Sequence, residues 1–395
     1  MSHRTFIHCD CDYYFAAIEK RDNPTLENIP FAVCGDPEMR HSIVMSKNSL
    51  AKKAGVPTGI SFRQARQICP DLHYVKADMG KYLKETNAIR NIFHKYSGTI
   101  IPYGMDEAWI DLGPVPYKVG VQIAELIRIE IKYALGLSAS LGVSFNYIFS
   151  KIGSDYRKPN AVTVITHDNY KDIVWALPAS DLLFVGSRRK RLLQCAGIQT
   201  IGDIARADPL LLGQLLGKVG NDLYCYANGD DSSFKPANDS INSIGNTLTP
   251  PADLRSSEDV SAILYLLATT VCARLKKHGL KTSCISIHMR DNAFNKIIRQ
   301  CSFKISTDNV NYVFNQAYAL FSKHYKWKRP LRSIGLRAEG LDKLEQLTLY
   351  PYDECKLSVD VDSRIKQLTR KYGALKVEES ATTKDWWPCV EGIPY

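Results

Sequence analysis

No stretch of this 395-residue sequence approaches the ~18 uninterrupted apolar residues that a membrane-spanning helix needs. Acidic residues appear from Asp10 onward, before the apolar core of a secretion signal could form. The eleven cysteines are an odd number and never form a Cys-x-x-Cys pair, so neither a disulfide framework nor a zinc ribbon is indicated. Internal repeats and low-complexity tracts are also missing, which sets aside solenoids and disordered scaffolds. The expectation is a soluble, cytoplasmic, monomeric protein without membrane contact.

Hydrophobic residues make up 45% and charged residues 23% of the chain, a profile that buries proper cores. At this length about two to four packed units are expected. Basic residues exceed acidic ones by 51 − 41 = +10, and most of that excess is local. Between residues 241 and 345 there are 16 basic and 8 acidic residues, 16 − 8 = +8. A polyanionic partner is one reading of such a segment. A solvated basic surface is the other.

Along the chain, residues 5–9 read as a strand ending at Asp10 and leading into a helix. Residues 42–79 carry a strand at 42–45, a Lys-rich helix at 48–54 and a helix at 62–69 stopped by Pro70, which together suggest a small inserted lobe. A helix at 81–96 precedes two strands around a Gly-marked turn, with Asp106 and Glu107 at the bend. An amphipathic helix at 119–134, a strand at 138–143, a helix at 146–156 and a strand at 162–165 follow. This element order is that of a ferredoxin-like sheet. Residues 170–235 read as short helices separated by glycine turns, then a polar stretch reads as a linker to a second α/β unit.

Asp10 and Asp12 in one segment, and Asp106 and Glu107 about a hundred residues later, all fall where strands of one sheet end. Hard oxygen ligands that converge suit magnesium. Two such ions ~3.5–4 Å apart serve an in-line displacement at phosphorus, so nucleotidyl transfer is the implied chemistry.

The segments Asp10-Cys11-Asp12-Tyr13-Tyr14-Phe15-Ala16-Ala17-Ile18-Glu19 and Asp106-Glu107-Ala108-Trp109-Ile110-Asp111 resemble the Y-family DNA polymerases, most of all the bacterial DNA polymerase IV type. The resemblance extends, in order, through Ser144 to Ile152, Lys158-Pro159-Asn160, residues 197–203 and Arg332 to Arg337, covering about residues 5–345. It implies an α+β multidomain right-hand polymerase. Residues 1–30 and 79–168 would form a ferredoxin-like palm and 31–78 small fingers. A helical thumb would occupy 169–236, a linker 237–241, a C-terminal α/β little finger 242–345 and a tail 346–395. The implied activity is template-directed addition of deoxynucleotides to a primer, at low fidelity and across lesions, in DNA repair.

By the same resemblance Asp10, Asp106 and Glu107, with the Cys11 carbonyl, would hold two Mg2+ ions, for which Mn2+ can substitute. Asp12 and Asp111 would be structural. Phe15 falls on the steric-gate position that leaves no room for a 2′-hydroxyl, and Tyr14 beside it is core or packs on the sugar. Lys158 and Lys52 would reach the triphosphate. Two departures stand out: Ser49 where many relatives carry a triphosphate-binding Tyr, and Gly104 where they carry Ser. Glycine turns at Gly186 and Gly202, with Arg188, would hold DNA phosphates, and Arg332 and Arg337 would do so from the basic unit. Gln346, Leu347, Leu349 and Tyr350 resemble the peptide by which bacterial polymerases dock on the sliding clamp. The alternatives are an inactive relative that only binds DNA and clamp, and a cyclase or nuclease using the same two-metal sheet.

Overall fold

The structure, a computed structural model, describes residues 4–36, 42–234 and 241–343. They form two compact units, one from residues 4–35 and 43–234 and the other from 241–343. The possible clamp peptide at 346–350 and most of the expected linker lie outside the described residues.

The first unit opens with β1 (Phe6–Cys11) and α1 (Tyr14–Asp22). The expected small lobe follows as β2 (Phe31–Cys34), β3 (Val44–Lys47), α2 (Ser49–Lys53), α3 (Phe62–Ile68) and β4 (His73–Lys76). Its sheet runs β3-β2-β4 over a separate apolar cluster that includes Val44, Ala51, Ala65 and Leu72. The strand lies two residues later than the 42–45 expected, because polar Ser46 and Lys47 pair with Val33 and Ala32 of β2. Asn48 starts α2 instead of belonging to it: its side chain accepts from the Ala51 amide at 3.0 Å.

The chain then forms α4 (Met79–Phe93), β5 (Thr99–Pro102), β6 (Glu107–Asp111), α5 (Tyr117–Leu135), β7 (Ala139–Ser144), α6 (Tyr147–Tyr156) and β8 (Val162–Ile165). The sheet order is β5-β6-β1-β7-β8. Its first four strands are antiparallel in the ferredoxin-like order, and β8 pairs parallel to β7 after the α6 crossover. Period-two alternation sorts β1 cleanly. Ile7, Cys9 and Cys11 enter the apolar core with residues of α4 and α5, while Phe6, His8 and Asp10 face the α6 side. α6 approaches β7 so closely that a Cβ on Gly142 would lie 1.9 Å from the Ser150 carbonyl oxygen.

Five short helices complete this unit: α7 (Tyr170–Val174), α8 (Ser187–Cys195), α9 (Ile201–Arg206), α10 (Pro209–Leu216) and α11 (Lys218–Ala227). Their core, with Leu193, Ile201, Leu212 and Leu223, includes Phe149 and Ile152 of α6, so the helical lobe is seated on the sheet domain through that helix. The segment after α11 returns to the α6 N-terminus, where Asp231 accepts from the Tyr147 amide at 2.7 Å.

The second unit comprises β9 (Ile244–Leu248), α12 (Ser257–Lys277), β10 (Leu280–Asp291), β11 (Lys296–Thr307), α13 (Val310–His324) and β12 (Leu331–Lys343). Its antiparallel sheet runs β11-β10-β12-β9. The two helices bury one face against Ile285, Ile287, Ile334 and Leu336. Edge strand β11 exposes Lys296, Arg299 and Lys304, charges that also discourage edge-to-edge pairing. Among the described residues no helix is long and apolar enough to cross a membrane.

Candidate active site

Adjacent strands bring the expected carboxylates together. Asp10 is cross-strand partner to Glu107, and one residue on the Cys11 amide donates to the Asp106 carbonyl at 3.0 Å. Side chains paired in this way share a sheet face. Burial, followed by the charges of Asp10 and Glu107, pushes the Asp106 carboxyl above its ordinary range. Burial raises Asp10 too, against the opposing effect of Lys158. The carboxyl oxygens Asp106 Oδ1 and Glu107 Oε1 converge over Gly104, since a Cβ there would stand 3.3 Å and 3.4 Å from them. The glycine that departs from the family's serine is therefore where two carboxylates meet.

Two lysines, Lys151 on α6 and Lys158 just beyond its end, close the site. Lys158 Nζ lies 2.7 Å from Asp10 Oδ2 and 2.8 Å from Asp155 Oδ1, while Lys151 Nζ lies 2.5 Å from Glu107 Oε2. For each lysine burial works against the charge and the facing carboxylates outweigh it, leaving the pKa above its usual value. Beneath them His8 is fully buried, its pKa lowered by burial and then by Lys151 and Lys158. His8 Nδ1 shares a hydrogen bond with Ser154 Oγ at 2.8 Å, and the same hydroxyl reaches the Lys151 carbonyl at 2.7 Å. His8 Nε2 lies 3.5 Å from Glu107 Oε2 with no hydrogen-bond partner. Lys151 and His8 are contributors that sequence reasoning missed, although Lys151 stands inside the resembling segment, two helical turns before Lys158.

Among the described residues no three His, Cys, Asp or Glu side chains form a closed ligand set, and Asp10 and Glu107 each face a lysine. The donor chemistry nevertheless fits a hard divalent cation: three neighbouring carboxylates, of which Asp10 and Asp106 are raised first by burial and then by Glu107, with Asp10 also acting on Asp106.

Asp12 is structural, as the resemblance implies: it is buried, accepting from Ser140 Oγ at 2.8 Å and from the Asn160 amide at 2.9 Å. It thereby ties down the Lys158-Pro159-Asn160 turn. Asp111 holds Arg4 through a forked pair of hydrogen bonds. Phe15 is half-buried, its ring 4.6 Å from Tyr82 and 5.3 Å from Tyr14. Tyr14 itself is 2% exposed and its hydroxyl donates to the Tyr82 carbonyl. It belongs to the core, the first of the two placements expected for it, and its hydroxyl is spent on Tyr82 and Thr86. Lys52 is exposed on α2 with its Nζ 5.4 Å from the Tyr13 ring centre, and Ser49 is exposed one turn earlier.

The helical lobe divides the two expected phosphate-holding glycines. Gly186 is exposed at the start of α8, beside a cavity of about 420 Å³ that Arg188 and Leu216 also line. Gly202 does not serve in this way: its amide already donates to the Trp175 carbonyl at 3.1 Å, and a Cβ would press on Trp175 at 2.9 Å. It is glycine for close packing. In the second unit Arg332 lies over the Phe294 ring at 4.8 Å, and Arg337 packs along Gly245.

Comparison with known proteins agrees with this geometry. Residues 9–155 match the impB/mucB/samB family and residues 241–349 match the impB/mucB/samB family C-terminal domain. The chain is 36% identical to DNA polymerase IV of Acetivibrio thermocellus, covering 97% of this chain and 98% of that one. It is 29% identical to DNA polymerase IV 1 of Bacillus subtilis, covering 96% and 94%. A solved Y-family DNA polymerase chimera superposes with a TM-score of 0.77 at 26% identity, covering 86% of this chain and 99% of that structure.

Proposed function

The chain belongs to the Y-family DNA polymerases, the impB/mucB/samB family, and on that premise we propose that Asp10, Asp106 and Glu107 are its catalytic carboxylates. It is a DNA-directed DNA polymerase of translesion synthesis, dependent on divalent metal and acting on DNA and deoxynucleoside triphosphates. The observation that carries the site assignment is the Asp10–Glu107 cross-strand pair with Asp106 beside it, three carboxylates crowded at one strand end.

Two Mg2+ ions are the cofactor we propose, held by those three side chains and the Cys11 carbonyl. When bound they supply the positive charge that activates a primer 3′ oxygen and steadies the pyrophosphate leaving group. The remaining work falls to the chain's own groups. Phe15 presents its free ring side to the sugar and excludes a 2′-hydroxyl. Lys52 from the fingers and Lys158 from the palm offset charge on the outer phosphates. Gly186 and Arg188 take backbone phosphates without reading sequence, and the +8 segment (16 basic, 8 acidic) grips the duplex by charge. The domain limits proposed are palm 1–30 and 79–168, fingers 31–78, thumb 169–236 and little finger 242–345. Residues 346–350 are proposed as a docking peptide for the sliding clamp, and the protein as a cytoplasmic monomer.

Extension of a labelled primer on templated DNA, with magnesium and deoxynucleotides, tests the assignment against an Asp106→Ala/Glu107→Ala double variant. The wild type should extend and the double variant should bind DNA without extending it. Equal extension by both would remove these carboxylates from the mechanism.

A further inference from the structure

Lys151 is the cation placed deepest at the site, and it touches Glu107 on one oxygen only. Its Nζ is 2.5 Å from Glu107 Oε2 and 3.8 Å from Asp155 Oδ2, with the Tyr103 ring centre 5.3 Å away. The neighbouring group at that oxygen, His8, stands with Nε2 3.5 Å away and makes no hydrogen bond to it. Glu107 Oε1 points elsewhere, to the space over Gly104 that Asp106 Oδ1 shares. A carboxylate with one oxygen tied has lost the rotation that would exchange its oxygens, so the second is left with a fixed direction.

We propose that Lys151 is a positioning residue for nucleotidyl transfer: by holding Glu107 Oε2 against α6 it turns Oε1 toward Asp106, forming a two-carboxylate face for a divalent cation. This rests on the polymerase reading above. The backbone supports the arrangement. α6 is seated on β7 through Gly142 and Gly153, and its first turn is tied by the Asn146 cap and by Asp231. The lysine is therefore delivered to Glu107 from a helix with little freedom to slide. Lys158, one segment later, serves Asp10 in a more open position, so the two lysines are not interchangeable.

The test compares wild type with Lys151→Met, which keeps the apolar stem and removes the donor, and with Lys151→Arg, which restores one. Mn2+ binding is followed by electron paramagnetic resonance on protein carrying primer-template and a non-hydrolysable deoxynucleotide analogue. Extension is measured in parallel as a function of Mg2+, and thermal unfolding reports folding. The methionine variant should bind Mn2+ roughly 10-fold or more weakly. Its Mg2+ half-saturation should rise in proportion, its KM for deoxynucleotide at saturating metal should hold, and arginine should recover most of the loss. A folded methionine variant with wild-type Mn2+ affinity overturns the proposal, as does a fall in melting temperature with no change in metal dependence. If methionine prevents folding, Lys151→Gln takes its place under the same criteria. Wild-type protein that binds primer-template and extends nothing would instead refute the polymerase reading, while extension with an unaltered metal dependence in the variant refutes the positioning role alone.

Discussion

Gly142→Ala is the single-carbon change with the sharpest structural consequence. Its Cβ would lie 1.9 Å from the Ser150 carbonyl oxygen, 2.5 Å from the Ser154 nitrogen and 2.8 Å from the Gly153 carbonyl carbon. All three atoms are α6 backbone, so no side chain can swing aside to make room. Relief requires α6 to move away from β7 by about 1 Å or more in an interior packed as densely as a crystal. Overpacking on this scale costs roughly 1–3 kcal/mol, and contact with rigid backbone places this case toward the top of that range. The displaced helix also draws Lys151 away from Glu107 and Lys158 away from Asp10, contacts now at 2.5 Å and 2.7 Å. A misplacement of about 1 Å costs on the order of 10²-fold in rate. Thermal unfolding and single-nucleotide kcat should therefore fall together. Gly153→Ala is the graded comparison, since its Cβ would meet the Gly142 Cα at 2.9 Å and a smaller shift suffices. A Gly142→Ala protein with the wild-type melting temperature and kcat would refute the reasoning.

Three further outcomes are expected. Phe15→Ala should lower discrimination against ribonucleotides by roughly 10²-fold in competing single-nucleotide extensions, and an unchanged ratio removes the steric gate. Gly202→Ala should cost about 1–3 kcal/mol in denaturant unfolding through its clash with Trp175, whereas Gly186→Ala, which meets open space, should leave stability alone; equal costs would contradict the separation of their roles. Asp12→Asn should cost about 1–3 kcal/mol, because one of the two donors to this buried carboxylate loses its acceptor, and should raise the KM for deoxynucleotide by loosening the turn after Lys158. Wild-type stability with wild-type KM would break the link between Asp12 and that turn.

The sheet domain was legible because its signals are local. Apolar Ile7, Cys9 and Cys11 alternate with His8 and Asp10, and that alternation alone places the acid on the face opposite the core. β8 (Val162–Ile165) fell where it was expected. The errors arose where tertiary pairing outweighed local character. β3 extends through polar Ser46 and Lys47 because β2 supplies their partners, and Gly202 reads as a turn glycine in sequence while serving a helix contact. Tyr14 sits in a motif with two other aromatic residues, and only the Tyr82 carbonyl shows which of them is inward.

The lysines were the harder part, for a physical reason. Their approach to the carboxylates depends on α6 lying against β7, and the two glycines that permit this, Gly142 and Gly153, are far apart in pattern and carry no motif of their own. Once the helix is in place, the charge balance of the site follows. Lys158 pairs with Asp10 and Lys151 with Glu107, whereas Asp106 makes no ion pair among the described residues. After burial, the influences that raise the Asp106 carboxyl are Asp10 and Glu107. With Asp155 also facing both lysines, four carboxyl groups share two cations, and Asp106 is the one without a cation of its own among the described residues. That shortfall of positive charge is what supports reading this strand end as the proposed seat for a divalent ion.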